Sequence, residues 1–135
     1  MYQMVGIAMG VHNTLGKGLA EPIYQEAFAI ECRRNGLSID REKELHMYYK
    51  GVLMEKNYFA DFYYKGIVIE LKAVSEICSE HRSQLFNYLR ITNQERGILF
   101  NFGEDSLHTE RYLYLEDIDE FVLINQDNYR EYVIP

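Results

Sequence analysis

Three charged side chains stand beside an apolar run: Asp61, then Glu70 and Lys72 nine and eleven positions later, closing the stretch Gly66-Ile67-Val68-Ile69-Glu70-Leu71-Lys72. A strand that enters a core seldom carries charge unless the charge has a partner or a task. Strand alternation puts Val68, Glu70 and Lys72 on one face and Ile67, Ile69 and Leu71 on the other, with same-face neighbours ~6.6 Å apart. Upstream, Tyr58 to Tyr64 reads as a second strand, and Tyr64-Lys65-Gly66 as a tight turn that folds it back as a hairpin. Asp61 then lies across from the Glu70 region. Two hard carboxylate ligands for a divalent cation with a lysine beside them outline metal-dependent phosphodiester chemistry. The same residues also suit a partly buried ion network at a sheet end, and D-x8-E-x-K spacing arises by chance, so both readings stand at this level.

A helix from about Ser79 to Thr92, taken to be capped by Ser79, follows the strand. It brings His81, Gln84 and Tyr88 to one face at i, i+3 and i+7, a face that can look onto the sheet end carrying Glu70 and Lys72. An amide such as Gln84 can position a water or contact a phosphate without altering the charge. His81 serves as readily as a helix-face histidine as it does as a ligand, His12 is taken as structural, and His46 and His108 carry no signal.

The elements that position these groups are legible in outline. Val5, Ile7, Ala8, Met9, Val11 and Leu15 mark a first helix that stops at Gly16-Lys17-Gly18. A second runs from Leu19 to Arg34, with Pro22 in its first turn and Asn35-Gly36 closing it. Strands are expected at Ser38 to Tyr49, Val52 to Tyr64 and Gly66 to Ala73, with Lys50-Gly51 as the first turn, and a buried strand at Gly97 to Phe102. The fold class is therefore α/β (α+β) with the order α-α-β-β-β-α-β. Asn101 and Gly103 are expected to shape the end of the last core strand.

Composition bounds the rest. A chain of 135 residues, 47% hydrophobic and 14% aromatic, can bury one core and reads as a single domain over residues 1–135. Fourteen basic against twenty-one acidic residues leave a net charge of −7, which argues against holding nucleic acid by charge alone. A nuclease of this balance needs metal ions to offset its carboxylates. The basic residues gather in Arg33-Arg34, Arg41, Lys43, Arg82, Arg90 and Arg96, ahead of an acidic stretch at Glu116 to Glu120. Cys32 and Cys78 lack CxxC spacing, so reduced thiols with buried packing roles are expected for both. No apolar run approaches a membrane span, and no charged n-region precedes one, so a soluble cytoplasmic protein without membrane association is expected.

The stretch from Val11 to Tyr24, VHNTLGKGLAEPIY, resembles the signature of the GxxExxY proteins through Gly18, Glu21 and Tyr24. Tyr49-Lys50-Gly51, Ala60-Asp61, Glu70-Leu71-Lys72-Ala73, then His81, Gln84, Tyr88-Leu89 and Gly97 to Gly103 follow in matching order. That family lies within the PD-(D/E)xK nuclease-like superfamily. The resemblance covers residues 1 to about 115, leaving 116–135 as an extension of unknown role. Met1 stands close to the first helix, as if a few leading residues were absent, and Phe59 stands where a basic residue is expected before Ala60-Asp61.

The resemblance implies a restriction-endonuclease-like core with a central mixed sheet flanked by helices. It implies Mg2+ (or Mn2+) held by Asp61 and Glu70, with Glu21 reaching the metal directly or through water. Lys72 would orient or deprotonate the attacking water, and Gln84 would assist. Tyr24, His81 and Tyr88 stand as secondary residues, Tyr24 being core or supporting rather than catalytic. Taken without the resemblance, Glu21 is a first-turn helix acid worth ~0.3–1 kcal/mol against the helix dipole. The function expected is hydrolysis of nucleic-acid phosphodiesters, with DNA or RNA as partner. A different class remains: a non-cleaving nucleic-acid or protein interaction module, acting as a homodimer through its twelve tyrosines, one of each pair Tyr48-Tyr49 and Tyr63-Tyr64 pointing outward. Asp61, Glu70 and Lys72 together with Glu21 and Gln84 favour the enzyme. A fold whose charges form only an ion network predicts no stabilisation by divalent metal.

Overall fold

The computed structural model of the chain describes residues 2–125 and 128. Helix α1 (Tyr2–Leu15) turns Met4, Ile7, Ala8 and Val11 inward, the stripe that a period of 3.6 residues requires of a helix lying on a sheet. Helix α2 (Glu21–Arg34) buries Tyr24, Phe28, Ala29 and Cys32. It begins two residues later than the Leu19 start read from sequence. The Tyr24 hydroxyl donates to the Gly16 carbonyl at 2.6 Å and accepts from the Leu19 N–H at 3.2 Å, so the chain before α2 winds as a loop around that ring.

Strands β1 (Asp40–Tyr49), β2 (Val52–Tyr64) and β3 (Ile67–Lys72) form an antiparallel meander. Both connections are two-residue turns, Lys50-Gly51 and Lys65-Gly66, with all four residues at positive φ (49°, 79°, 47° and 82°). That mirror-image turn matches the right-handed twist of the strands it joins. Helix α3 (Ser79–Ile91) then crosses over to β4 (Arg96–Asn101), which runs parallel to β3.

The core order α-α-β-β-β-α-β is thus present, and the structure adds two antiparallel strands to it. β5 (His108–Leu115), a 3-10 turn at Glu116–Ile118 and β6 (Glu120–Ile124) complete a mixed six-stranded sheet ordered β1-β2-β3-β4-β5-β6. Part of the supposed C-terminal extension is therefore an edge strand of the same sheet. Residues 126–127 and 129–135 of that extension, and Met1, lie outside the described residues. Periodicity hides β5 because one of its inward positions, Glu110, carries a charge.

Helices α1 and α2 cover one face, closing over Phe62, Ile67, Ile69, Leu71, Ile98 and Phe100. Helix α3 covers the other, against Leu45, Ala60, Val68, Leu99 and Tyr112. Ile67, Ile69 and Leu71 face α1 and α2 while Val68 faces α3, as alternation requires. Tyr48 and Tyr49, beyond the reach of the helices, are both exposed, whereas Tyr63 and Tyr64 are both half-buried because the sheet is covered on both faces there. Neither pair follows the one-in, one-out expectation.

Strand β2 breaks its pleat at Asp61. The register with β1 pairs Arg41 with Phe62 and Lys43 with Ala60, passing over Glu42 and Asp61, and Glu42 sits at φ 52°. Strict alternation would keep Tyr58, Ala60 and Phe62 on one face. Instead Tyr58 and Ala60 pack on the α3 side and Phe62 on the other. Pairing with β3 ends at Phe62 and Ile69, so beyond this point β2 leaves β3 and continues with β1 alone.

Candidate active site

The end of β3 is anchored from the neighbouring strand. The Phe102 N–H donates to the Lys72 carbonyl at 2.8 Å. The fully buried Asn101 side chain accepts from the Val74 N–H (3.0 Å) and donates to the Val74 carbonyl (2.9 Å), as another backbone residue would. Gly103 lies so near that a Cβ there would meet the Val74 oxygen at 2.2 Å. Asn101 and Gly103 therefore do shape this strand end, and they do so by holding the chain that follows Lys72.

On that anchored end the carboxylates are fixed through backbone donors. Asp61 Oδ2 accepts the Leu71 N–H at 2.9 Å, taking the ladder bond that β2 relinquishes at its break. The Asp61 N–H in turn favours the Glu70 carboxylate. Burial still dominates: it pushes the Glu70 pKa up to about 8, against the pull of Lys72 and the Asp61 N–H, with Glu21 adding to the rise. Asp61 is raised by burial too, countered by the Leu71 N–H, Lys72 and Gln25. Glu21 is likewise raised by burial, with Lys72 and His81 opposing and Asp61 reinforcing. Glu21 on α2, Asp61 on β2, and Glu70 and Lys72 on β3 thus converge electrostatically.

The α3 side supplies the rest. Tyr58, Glu70, Lys72, His81, Gln84, Leu85, Tyr88 and Leu99 line a cavity of about 110 Å³ between β2, β3 and α3, room for several waters or a hydrated ion. His81, Gln84 and Tyr88 share the helix face that their spacing implies. His81 Nδ1 accepts the Cys78 N–H at 3.1 Å, which leaves Nε2 to carry the proton of the neutral ring. Gln84 Nε2 donates to the Tyr88 hydroxyl at 3.3 Å, and the Tyr88 ring stacks on Tyr58 at 3.7 Å between centroids. Two atoms on this cavity's lining residues, Glu70 Oε1 and the Tyr58 hydroxyl, are buried with no hydrogen-bond partner. Each such atom costs ~1–3 kcal/mol, more when charged.

Among the described residues, no three His, Cys, Asp or Glu side chains are gathered closely enough to hold a metal by themselves. The reason is local. Asp61 is fastened to the Leu71 N–H, and the Gln25 amide stands between Asp61 and Glu21, donating to Glu21 Oε1 at 3.3 Å. Gln25, one helical turn beyond Glu21, was detectable only by that i+4 spacing, and nothing in the sequence singles out Tyr58.

Tyr24 is fully buried, its ring stacked on Phe102 at 4.8 Å, and its hydroxyl holds the loop that launches Glu21, so it supports the site from the core. Helix α3 is capped by Cys78, not Ser79, and Cys78 is exposed while Cys32 alone packs in the core. His12 Nε2 lies 2.9 Å from the Glu104 carbonyl, a structural contact as expected. Arg82 is engaged bidentately by Glu110 at 2.8 Å, and Arg90 by Asp119 at 2.9 Å, so two of the gathered basic residues face internal carboxylates. Phe59 is exposed and outside the cavity.

A mixed sheet carrying D-x8-E-x-K on adjacent strands, with a carboxylate-bearing helix on one side and a glutamine-bearing helix on the other, defines a nuclease-like architecture. The chain belongs to the PD-(D/E)XK nuclease superfamily, whose family model matches residues 1–127 and so runs past the limit near residue 115 that the resemblance suggested. Nucleases of this superfamily generally use divalent metal ions, and the superfamily implies nucleic-acid binding in general. The crystal structure of SSO0001 is similar in fold, with 22% identity and a TM-score of 0.52, over 67% of this chain and 48% of that one. The chain thus spans about half the length of that protein. No curated protein sequence matches it. Among the described residues no helix is long and apolar enough to cross a membrane.

Proposed function

We propose that the chain is a metal-dependent nuclease of the GxxExxY group, one domain that hydrolyses nucleic-acid phosphodiester bonds at the cavity between β2, β3 and α3. The observation that carries this reading is Glu70 Oε1, buried without a partner on a residue that lines a cavity together with Lys72 and Gln84, while Asp61 is fastened to the intervening Leu71. An unpartnered carboxylate oxygen beside a polar cavity suits a cation. The donors are hard oxygens, which fit Mg2+ or Mn2+, and Mg2+ keeps much of its water shell and needs only one or two carboxylates. Asp61 and Glu70 would hold it, with Glu21 contributing through water, and the ion would supply Lewis acidity toward the phosphate and a more acidic bound water.

The chain's own groups do the remaining work. Lys72, adjacent to Glu70 on the same strand face, orients the attacking water, accepts or relays its proton, and offsets charge that builds on the phosphoryl oxygens. The Gln84 amide positions the phosphate, and His81, held by its Nδ1 bond to Cys78, offers Nε2–H to the same cavity. Water oxygen bonds to phosphorus, the ester P–O bond breaks, and the departing oxygen takes up a proton.

The test is thermal unfolding with and without millimolar Mg2+ or Mn2+, paired with cleavage of mixed DNA and RNA, for wild type, Glu70→Gln and Lys72→Ala. A metal-dependent rise is expected in wild type and Lys72→Ala but not in Glu70→Gln, with cleavage in wild type alone. Cleavage that survives Lys72→Ala removes that residue from the mechanism. A rise without cleavage favours a non-cleaving interaction module, and no rise favours an internal ion network.

A further inference from the structure

Of the two unpartnered buried atoms on residues that line the cavity, the Glu70 oxygen is accounted for by the nuclease reading and the Tyr58 hydroxyl is not. Tyr58 reaches the cavity because β2 breaks its pleat at Asp61 and so keeps Tyr58 on the α3 side, where its ring is pinned by stacking on Tyr88 at 3.7 Å with 14° between the ring planes. The neighbouring polar groups do not serve it: Gln84 donates to Tyr88, and His81 Nδ1 is taken by Cys78. The two bare atoms have complementary needs. A phenol must donate and a carboxylate oxygen must accept, yet they do not pair with each other although both residues line one small cavity. A cation held by Glu70 and a phosphoryl oxygen accepting from Tyr58 would meet both demands, once a small side-chain shift opens the two buried atoms to the cavity.

We infer that Tyr58 is a substrate-contacting residue whose hydroxyl donates a hydrogen bond to a non-bridging oxygen of the bound phosphate, with the Tyr58–Tyr88 stack fixing its position. The inference rests on the nuclease reading of the same site. It assigns to β2 a role distinct from metal binding: the strand contributes a metal ligand at Asp61 and, three residues earlier across the break, a phosphate donor. The donor is rigid because both faces of its attachment are constrained, the ring by Tyr88 and the backbone by the Leu45 pairing on β1. A donor fixed before substrate arrives needs no reorganisation as charge develops on the phosphoryl oxygens.

Tyr58→Phe keeps the ring and the stack and deletes only the hydroxyl, so thermal unfolding without ligand should match wild type or lie slightly above it. Unfolding is then measured with Mg2+ alone and with Mg2+ plus inorganic phosphate, for wild type, Tyr58→Phe and Glu70→Gln. Wild type is expected to show two successive rises, Tyr58→Phe the metal rise only, and Glu70→Gln neither. On DNA or RNA that wild type cleaves, Tyr58→Phe should lose about a hundredfold to a thousandfold in kcat. A phosphate rise undiminished in Tyr58→Phe, or no phosphate rise in wild type, overturns the role of Tyr58 and leaves the metal site standing. Absence of the metal rise in wild type overturns the nuclease reading and this inference with it. A Tyr58→Phe protein that unfolds well below wild type without ligand assigns the hydroxyl to stability instead and overturns the inference.

Discussion

The carboxylate of Asp61 accepts the backbone N–H of Leu71 at 2.9 Å. One β-strand is thereby clipped, through an acidic side chain, to the residue that separates Glu70 from Lys72 on the next. The bond replaces a ladder hydrogen bond at the place where β2 stops pairing with β3, so Asp61 is at once a structural fastener and a candidate ligand.

These two roles separate by substitution. Asp61→Asn keeps an oxygen for the Leu71 N–H, and its unfolding temperature without metal should stay near wild type while metal affinity and cleavage fall at least about tenfold to a hundredfold. Asp61→Ala also leaves the Leu71 N–H bare, and should cost a further ~1–3 kcal/mol in denaturant unfolding. Equal stability of the two variants would show that the clip contributes nothing.

Glu70 gives a pH signature in the metal-free protein. Its folded pKa of about 8 lies above the ordinary 4.5, so the unfolded chain releases this proton at lower pH than the folded one. Its contribution to stability is greatest below pH 4.5 and is lost as pH rises toward 8. In EDTA, Glu70→Gln should therefore gain on wild type across that window and melt roughly 5 °C or more above it at pH 8.5. With Mg2+ present the order should reverse. Parallel melting curves for the two proteins from pH 5 to 8.5 in EDTA would contradict the burial of this carboxyl.

Glu110 behaves in the opposite sense. Arg82, followed by His108 and Tyr112, holds its pKa near about 2 against an ordinary 4.5. The stabilisation is present above pH 4.5 and is lost as pH falls toward 2. Glu110→Gln should be less stable than wild type by about 1–3 kcal/mol at pH 7, and the gap should close near pH 2–3 in urea unfolding. A constant gap would place the effect in packing rather than charge.

The close approach at Gly103 predicts a site effect at a distance. A Cβ there meets the Val74 carbonyl at 2.2 Å, and backbone has little freedom to retreat because Asn101 holds Val74 from both sides. Gly103→Ala should cost about 1–3 kcal/mol and lower cleavage beyond what its loss of folded protein explains, since the chain leaving Lys72 must move. Activity per folded molecule equal to wild type would limit the change to stability.

Much of this protein is written locally. The apolar stripe of α1, the two Lys-Gly turns and the alternation that separates Glu70 and Lys72 from Ile69 and Leu71 depend on neighbours in the chain, and the i, i+3, i+7 spacing alone sets His81, Gln84 and Tyr88 on one face. The ordered motifs from Gly18 to Gly103 carried the superfamily as well. What tertiary structure decided depends on contacts between distant residues. Strand β5 is hidden from periodicity because the charge at Glu110 is neutralised by Arg82, twenty-eight positions away. The pleat break at Asp61 is set by competition between β1, β3 and a side-chain acceptor for the same backbone groups. That competition admits Tyr58 to the cavity, and no local periodicity encodes it.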